Sequence, residues 1–293
     1  TSEGALGTCC DFQSMITEKG NASGSAFKFP NTVYNAAGGY LSICSGIKGY
    51  NVTVTNGAQS GLASMAYAMS VLRSGQENAM LATGSDENSD IMTELFGKLG
   101  VTSESVVTPF EGNDGFVLSD GSASVLIEDE KAARERGARI YCHAAGYGMA
   151  HSNVKFGTLT GSEAGLTNAV NNALADAGMT IDDIDAVFGF ANGMKAVDDV
   201  EIKGLTAVFG DKMAEKPVVE LKEVLGESRA AAATTAAAHA ALMFAGKIPS
   251  QEAYSIAADG SVSKTNVEAS KLNNVLVVAY GAGGSYTAIV LSK

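Results

Sequence analysis

Tryptophan is absent from the 293 residues, charged side chains make up only 18% of them, and the 20 basic residues are outnumbered by 32 acidic ones. The resulting net charge of −12 repels phosphates, which argues against nucleic-acid binding, and it disfavours docking of another strongly acidic protein. No apolar run is long enough to cross a membrane, and no secretory leader is legible at the front. Histidine is scarce, and His143, His151 and His239 lack the spacing of metal ligands, so no metal is expected. Cysteine is scarce as well. Cys9, Cys10, Cys44 and Cys142 form no C-x-x-C pair, and reduced thiols in a cytoplasm are the expectation.

What the chain does have is apolar content of 46% and 34 glycines, enough for one large core or two fused halves of closely packed layers. Strands and helices alternate. Residues 50–55 read as a strand, Ala58–Ser74 as a helix with Leu62, Met65, Ala66, Met69 and Leu72 on one face, and Asn78–Thr83 as a buried strand. Phe116–Leu118 and Ser124–Glu128 suggest a hairpin around Asp120-Gly121, and Lys131–Arg136 a short charged helix. A second half begins near Arg139, giving units 1–138 and 139–293. It holds helices at 165–177, 200–208 and 229–244, and strands at 186–190, 217–221, 275–280 and 286–291. The alternation implies a layered α/β fold, whose sites lie in loops beyond strand ends.

Three loops invite chemistry. In Thr55–Gly61 a strand meets a helix N-terminus, a place that would activate a nucleophile, but Ala58 stands there. Ser60 reads as a helix-start hydrogen bonder, and Gln59 cannot attack a thioester. In residues 190–201, Asp198 and Glu201 have capping-box spacing, and Asn192 has no proton to trade near neutral pH. In residues 221–228, Lys222 ends a strand and Glu227 begins a helix, which reads as a cap with a salt bridge. The glycine loop Gly281–Gly284 opens no helix, so it reads as a tight turn rather than a dinucleotide site, and no cofactor is expected.

In this order the loops resemble the β-ketoacyl synthase family of the thiolase fold. The resemblance is carried by Phe29-Pro30-Asn31, Asn35-Ala36-Ala37-Gly38 and Gly46-Ile47-Lys48-Gly49, then by Gly61, Gly75, Gly84 and Glu87. It continues in Pro109-Phe110-Glu111, Asp114–Leu118 and Asp120-Gly121, and in Asp198, Glu201, Phe209-Gly210 and Gly281–Gly284. It implies an αβαβα architecture, here lacking part of the N-terminal half. Active members use one Cys and two His. Carried over by position, the Cys falls on Ala58, the first His on or near Asn192 and the second on Glu227. The associated Lys is kept as Lys222, and the aromatic of the glycine loop is replaced by Ala282.

That pattern is similar to chain length factors, the non-catalytic β-subunits of type II polyketide synthase heterodimers. Many of these carry Gln at the Cys position. Here Gln59 lies one residue later, a turn of roughly 100° on a helix. The resemblance implies a partner ketosynthase with a Cys-His-His site, and an acyl carrier protein that docks mainly on that partner. It also implies a cross-dimer strand at Tyr50, Asn51, Val52, Thr53, Val54 and Thr55, and places Thr32, Val33 and Tyr34 at the far end of the partner's acyl tunnel. Two other readings stand beside it: an acyltransferase or thioesterase using Ser60 or a free cysteine, and a homodimeric acyl-binding protein.

Overall fold

The computed structural model describes residues 1–155 and 161–293. Its helices and strands run, in chain order, α1 (Leu6–Lys19), α2 (Ala36–Ser45), α3 (Ser60–Arg73), β1 (Ala79–Asp86), α4 (Asp90–Leu99), β2 (Gly121–Glu128), α5 (Glu130–Glu135), β3 (His143–His151), α6 (Glu163–Ala177) and β4 (Ala186–Phe188). They continue as α7 (Lys195–Phe209), β5 (Val218–Val219), α8 (Lys222–Leu225), α9 (Ala230–Phe244), β6 (Ser250–Ile256), β7 (Val262–Glu268), β8 (Asn274–Gly281) and β9 (Ser285–Ser292).

Two sheets result. β1 and β2 form an antiparallel pair, and seven strands order as β3-β9-β8-β4-β5-β6-β7. In the larger sheet β4 runs parallel to both β5 and β8, whereas β8 and β9 are antiparallel. Helices α3 and α9 lie between the sheets, and α6 covers the far face of the larger one with α7 packed against it. The strands β4 and β8 are buried almost throughout, as a sheet covered on both faces requires.

α9 sits at the centre because of its composition. Ten of its residues are buried, most of them alanine, so neighbours can approach it from every side. Gly61 of α3 and Gly84 of β1 complete that fit. A Cβ at either would lie under 3.0 Å from the Ala230 carbonyl oxygen and from the Thr234 hydroxyl. Asp86 at the end of β1 accepts from the Ala230 backbone N–H at 2.8 Å, placing a carboxylate at the positive end of α9.

Several expectations need correction. Residues 50–55 form no strand: they pair with no strand among the described residues, because nothing lies alongside to complete a ladder. Phe116–Leu118 makes no hairpin with Ser124–Glu128. Phe116 bridges Thr102 and Leu118 bridges Glu227, while β2 pairs with β1. The strand expected at Asn78–Thr83 runs on through Gly84 to Asp86 and is half-buried rather than buried, with alternate residues facing out. α7 begins at Lys195 with Met194 before it, so Asp198 lies inside the first turn and is not the N-cap of a capping box. Lys222 opens α8 instead of ending a strand, and Glu227 precedes α9 rather than belonging to it.

Candidate functional site

Three of the four positions singled out in the sequence meet in one buried cluster. Beyond β5 the chain enters α8, turns at Gly226 (φ 75°), and brings Glu227 alongside Leu118. The main chain of Glu227 is clamped to residues 117–119: its N–H donates to Val117 O at 2.7 Å, and its carbonyl accepts from Ser119 N at 3.2 Å. The Lys222 ammonium donates to Glu227 Oε2 at 2.7 Å and to Phe190 O at 3.0 Å, and it stands 3.1 Å from the centroid of the Phe190 ring. Asn192 Nδ2 donates to the same Glu227 oxygen at 3.0 Å. Glu227 Oε1 accepts from Arg229 N at 2.8 Å.

Both ends of the Lys222–Glu227 pair are almost fully buried. Each carboxylate oxygen already has a donor, two for Oε2 and one for Oε1. This arrangement neutralises and fixes the loop, which fits the salt bridge read from the sequence.

The turn at residues 55–61 lies close by. Ala58 is half-buried against the core, and a Cβ at Gly281 would lie 3.5 Å from its backbone N, so the glycine loop rests on this turn. Phe190 meets Tyr280 edge-on at 5.6 Å, linking the turn to the Lys222 cluster through the core. Ser60 does act as a helix-start residue: its Oγ accepts from Asn56 N at 2.7 Å and donates to Gly57 O at 2.6 Å. Gln59 is fully buried, its carbonyl oxygen accepting from the Thr287 hydroxyl while its amide nitrogen finds no acceptor among the described residues. Burial pushes the Cys142 thiol up to about 11, away from a reactive thiolate.

A second buried group joins Asp198 and Glu201, read in the sequence as a capping box, to Glu220, which the sequence reading missed. Asp198 accepts from the N–H groups of Phe110, Asn192 and Gly193 and thereby ties the loop over the cluster; burial pushes it up to about 6 against the pull of those donors. Glu201 accepts from Phe190 N at 2.7 Å. Glu220 faces Glu201, and burial together with that neighbouring carboxylate drives it well above the usual carboxylate range. The available signal was a glutamate directly after two valines in a short apolar strand, Val218-Val219-Glu220.

The remaining positions lie elsewhere. Thr32 ends a short turn and donates from Oγ1 to Phe29 O at 2.8 Å. Val33 and Tyr34 are 43% and 56% exposed, so neither is core of this chain. Tyr50 and Val52 are likewise exposed, and with Phe27, Phe29, Tyr40 and Ile43 they make residues 27–52 rich in uncovered apolar side chains.

The layered α/β fold is that of the thiolase-like ketosynthases. The N-terminal domain of β-ketoacyl synthases matches residues 5–133, and the C-terminal domain matches residues 141–254. The chain belongs to the β-ketoacyl synthase family.

Among curated proteins it is 29% identical over 214 residues to 3-oxoacyl-[acyl-carrier-protein] synthase 2 of Vibrio harveyi, covering 70% of this chain and 52% of that one. It is 30% identical over 270 residues to a polyketide beta-ketoacyl synthase of Streptomyces coelicolor, covering 89% and 63%. Among solved structures, the ishigamide ketosynthase/chain length factor superposes with a TM-score of 0.88 at 22% identity, over all of this chain and 73% of that one. The chain thus spans about half the length of the 3-oxoacyl-[acyl-carrier-protein] synthases it matches.

Proposed function

We propose that this chain is a non-catalytic subunit of the chain length factor kind, pairing with an active Cys-His-His ketosynthase and shaping that partner's acyl tunnel. The observation that carries the reading is the state of the three positions where the family keeps its reacting groups. Ala58 offers no nucleophile, Asn192 no base, and Glu227 is held by Lys222, Asn192 and the Arg229 backbone. The apolar side chains left uncovered in residues 27–52 supply a surface for a partner, and the unpaired segment 50–55 a backbone edge for it. An acyl carrier protein docks mainly on the partner, since carriers of this kind are acidic and this chain carries −12.

Incubated alone with malonyl and acyl carrier thioesters, the chain is expected to release no carbon dioxide and to gain no acyl mass. A stable acyl adduct on Ser60 or on any cysteine, read by mass spectrometry, would overturn the reading in favour of an acyltransferase or thioesterase. Ser60 is an unpromising nucleophile because its hydroxyl is already engaged at both ends.

The gate role of Thr32, Val33 and Tyr34 follows from the same pairing. Thr32→Trp, co-expressed with the active partner, should shorten the products while the first condensation proceeds at an unchanged rate. Product length identical to that of the unaltered pair would remove these residues from the tunnel.

A further inference from the structure

Asparagine is followed by glycine twice in the chain, at Asn56-Gly57 and at Asn192-Gly193. Such a pair carries its own nucleophile and electrophile. The glycine backbone nitrogen can attack the side-chain amide carbon of the asparagine, and no Cβ on the glycine stands in the way. Whether the attack occurs depends on how the fold occupies three groups: the amide nitrogen, the amide oxygen and the glycine N–H. The two pairs are treated oppositely.

At Asn192-Gly193 all three groups are engaged. Asn192 Nδ2 donates to Glu227 Oε2 at 3.0 Å, and Asn192 Oδ1 accepts from Met194 N at 3.1 Å. The Gly193 N–H donates to Asp198 Oδ1 at 3.2 Å, and Asn192 is buried. At Asn56-Gly57 none of the three makes a hydrogen bond among the described residues. Both residues are half-buried, and a Cβ built on Gly57, at φ 65°, meets nothing within 4 Å. The turn is held by other atoms. Asn56 N donates to Ser60 Oγ at 2.7 Å, and Gly57 O accepts from Ser60 N at 3.0 Å and from Ser60 Oγ at 2.6 Å. These bonds shape the turn without occupying the groups that react.

We infer that Asn56 is a site of spontaneous deamidation, converted in the folded chain to aspartate and isoaspartate while Asn192 is spared. Solvent hydroxide takes the Gly57 amide proton. The nitrogen then attacks Asn56 Cγ, a C–N bond forms, the Cγ–Nδ2 bond breaks, and Nδ2 leaves as ammonia with a proton from water. Water opens the resulting five-membered imide at either carbonyl. One opening gives aspartate; the other gives isoaspartate, in which the main chain runs through the former side chain. The net change consumes one water and releases one ammonia, with no oxidant or further co-reactant.

The product acts on what rests against this turn. A Cβ at Gly281 would lie 3.5 Å from Ala58 N and 3.7 Å from Asn56 O. Isoaspartate lengthens the main chain by a methylene between those two atoms, so the glycine loop above them has to shift in a closely packed place. Either product also adds one negative charge to a chain that already carries −12. The inference concerns this chain's own turn and does not rest on the partner reading given above.

The test incubates the whole folded chain alone in mildly alkaline buffer and follows it by anion exchange and peptide mass mapping, with enzymatic methylation of isoaspartate as a second readout. A more acidic species modified at Asn56 is expected. Asn192 should react at least about tenfold more slowly, because it must wait for its loop to open. In urea, where neither pair is protected, the two rates should agree within about threefold, and Asn56 should react about as fast as it does in the folded chain. Asn56→Gln keeps the amide but demands a larger ring, so this variant should give no acidic species. Hydrogen exchange at the amides of residues 281–284 should be faster in the isoaspartate fraction than in fresh chain. Equal rates at the two asparagines in the folded chain would overturn the proposal, as would protection of folded Asn56 by more than about tenfold relative to urea. So would an acidic species that persists in Asn56→Gln. Unchanged exchange at residues 281–284 would overturn the link to the glycine loop.

Discussion

Glu227→Leu should cost about 3–5 kcal/mol of folding stability, whereas the double variant Lys222→Met/Glu227→Leu should lie much closer to the parent chain. The single change strips the Lys222 ammonium of its carboxylate in a place where both partners are almost fully buried. It also leaves Asn192 Nδ2 and the Arg229 N–H without their acceptor. The remaining contacts of Lys222, the Phe190 carbonyl and ring, are dipolar or quadrupolar and cannot replace a full negative charge. Removing both charges abolishes the cost of burying them, and the new side chains fill most of the volume. Urea unfolding of the two variants decides the matter. A single variant that loses less than about 1 kcal/mol would mean that water reaches the pair and that it does not hold the loop.

The second large effect concerns the approach of the first half to α9. Gly61→Ala should destabilise the chain by about 3 kcal/mol or more, at the upper end of what overpacking a core costs. The added methyl would lie under 3.0 Å from the backbone carbonyl of Ala230, an atom fixed within the first turn of α9, and equally close to the Thr234 hydroxyl. Gly84→Ala meets the same two atoms from β1 and should behave alike. Because both changes push on one point of α9, their effects should not add. Gly39→Ala in α2 is the control. A Cβ there meets nothing within 4 Å, so the ordinary helix preference for alanine should leave that variant neutral or more stable by up to about 1 kcal/mol. If Gly61→Ala melts with the control, α3 and α9 are not in the close contact described.

The sequence made the helices legible because their signals are local. The Leu62, Met65, Ala66 and Met69 stripe and the glycine after it bound α3 to within two residues at its start and one at its end. The alanine run does the same for α9, and the apolar runs on either side of Gly281–Gly284 for β8 and β9. Lys222 and Glu227 were legible as a salt bridge, whereas Asn192 was tied to them only through family resemblance, since nothing in its spacing says that it touches them.

Strands in the first half were less legible. A strand exists only where a second backbone lies beside it, so the alternation of Val52 and Val54 with threonines is compatible with a strand that no neighbour completes. The same dependence misled the reading of Phe116–Leu118, which turns to Thr102 and Glu227 instead of the nearby Ser124–Glu128. Asp198 carried the right residue type for a cap. Its partners proved to be the Asn192 and Gly193 amides of its own loop and the Phe110 amide, far away in the chain.

By itself, then, the sequence determined a layered α/β chain of acidic composition, the bounds of α3 and α9, and the want of a reactive group on Ala58. Those follow from periodicity, charge counting and residue identity, which need no knowledge of distant neighbours. The tertiary structure alone decided that Glu227 is held by Lys222 and Asn192, and that burial beside Glu201 drives Glu220 well above the usual carboxylate range. Each is a property of groups brought together by folding. Burial sets the protonation of a carboxylate, and only the arrangement of the other elements fixes what is buried beside it.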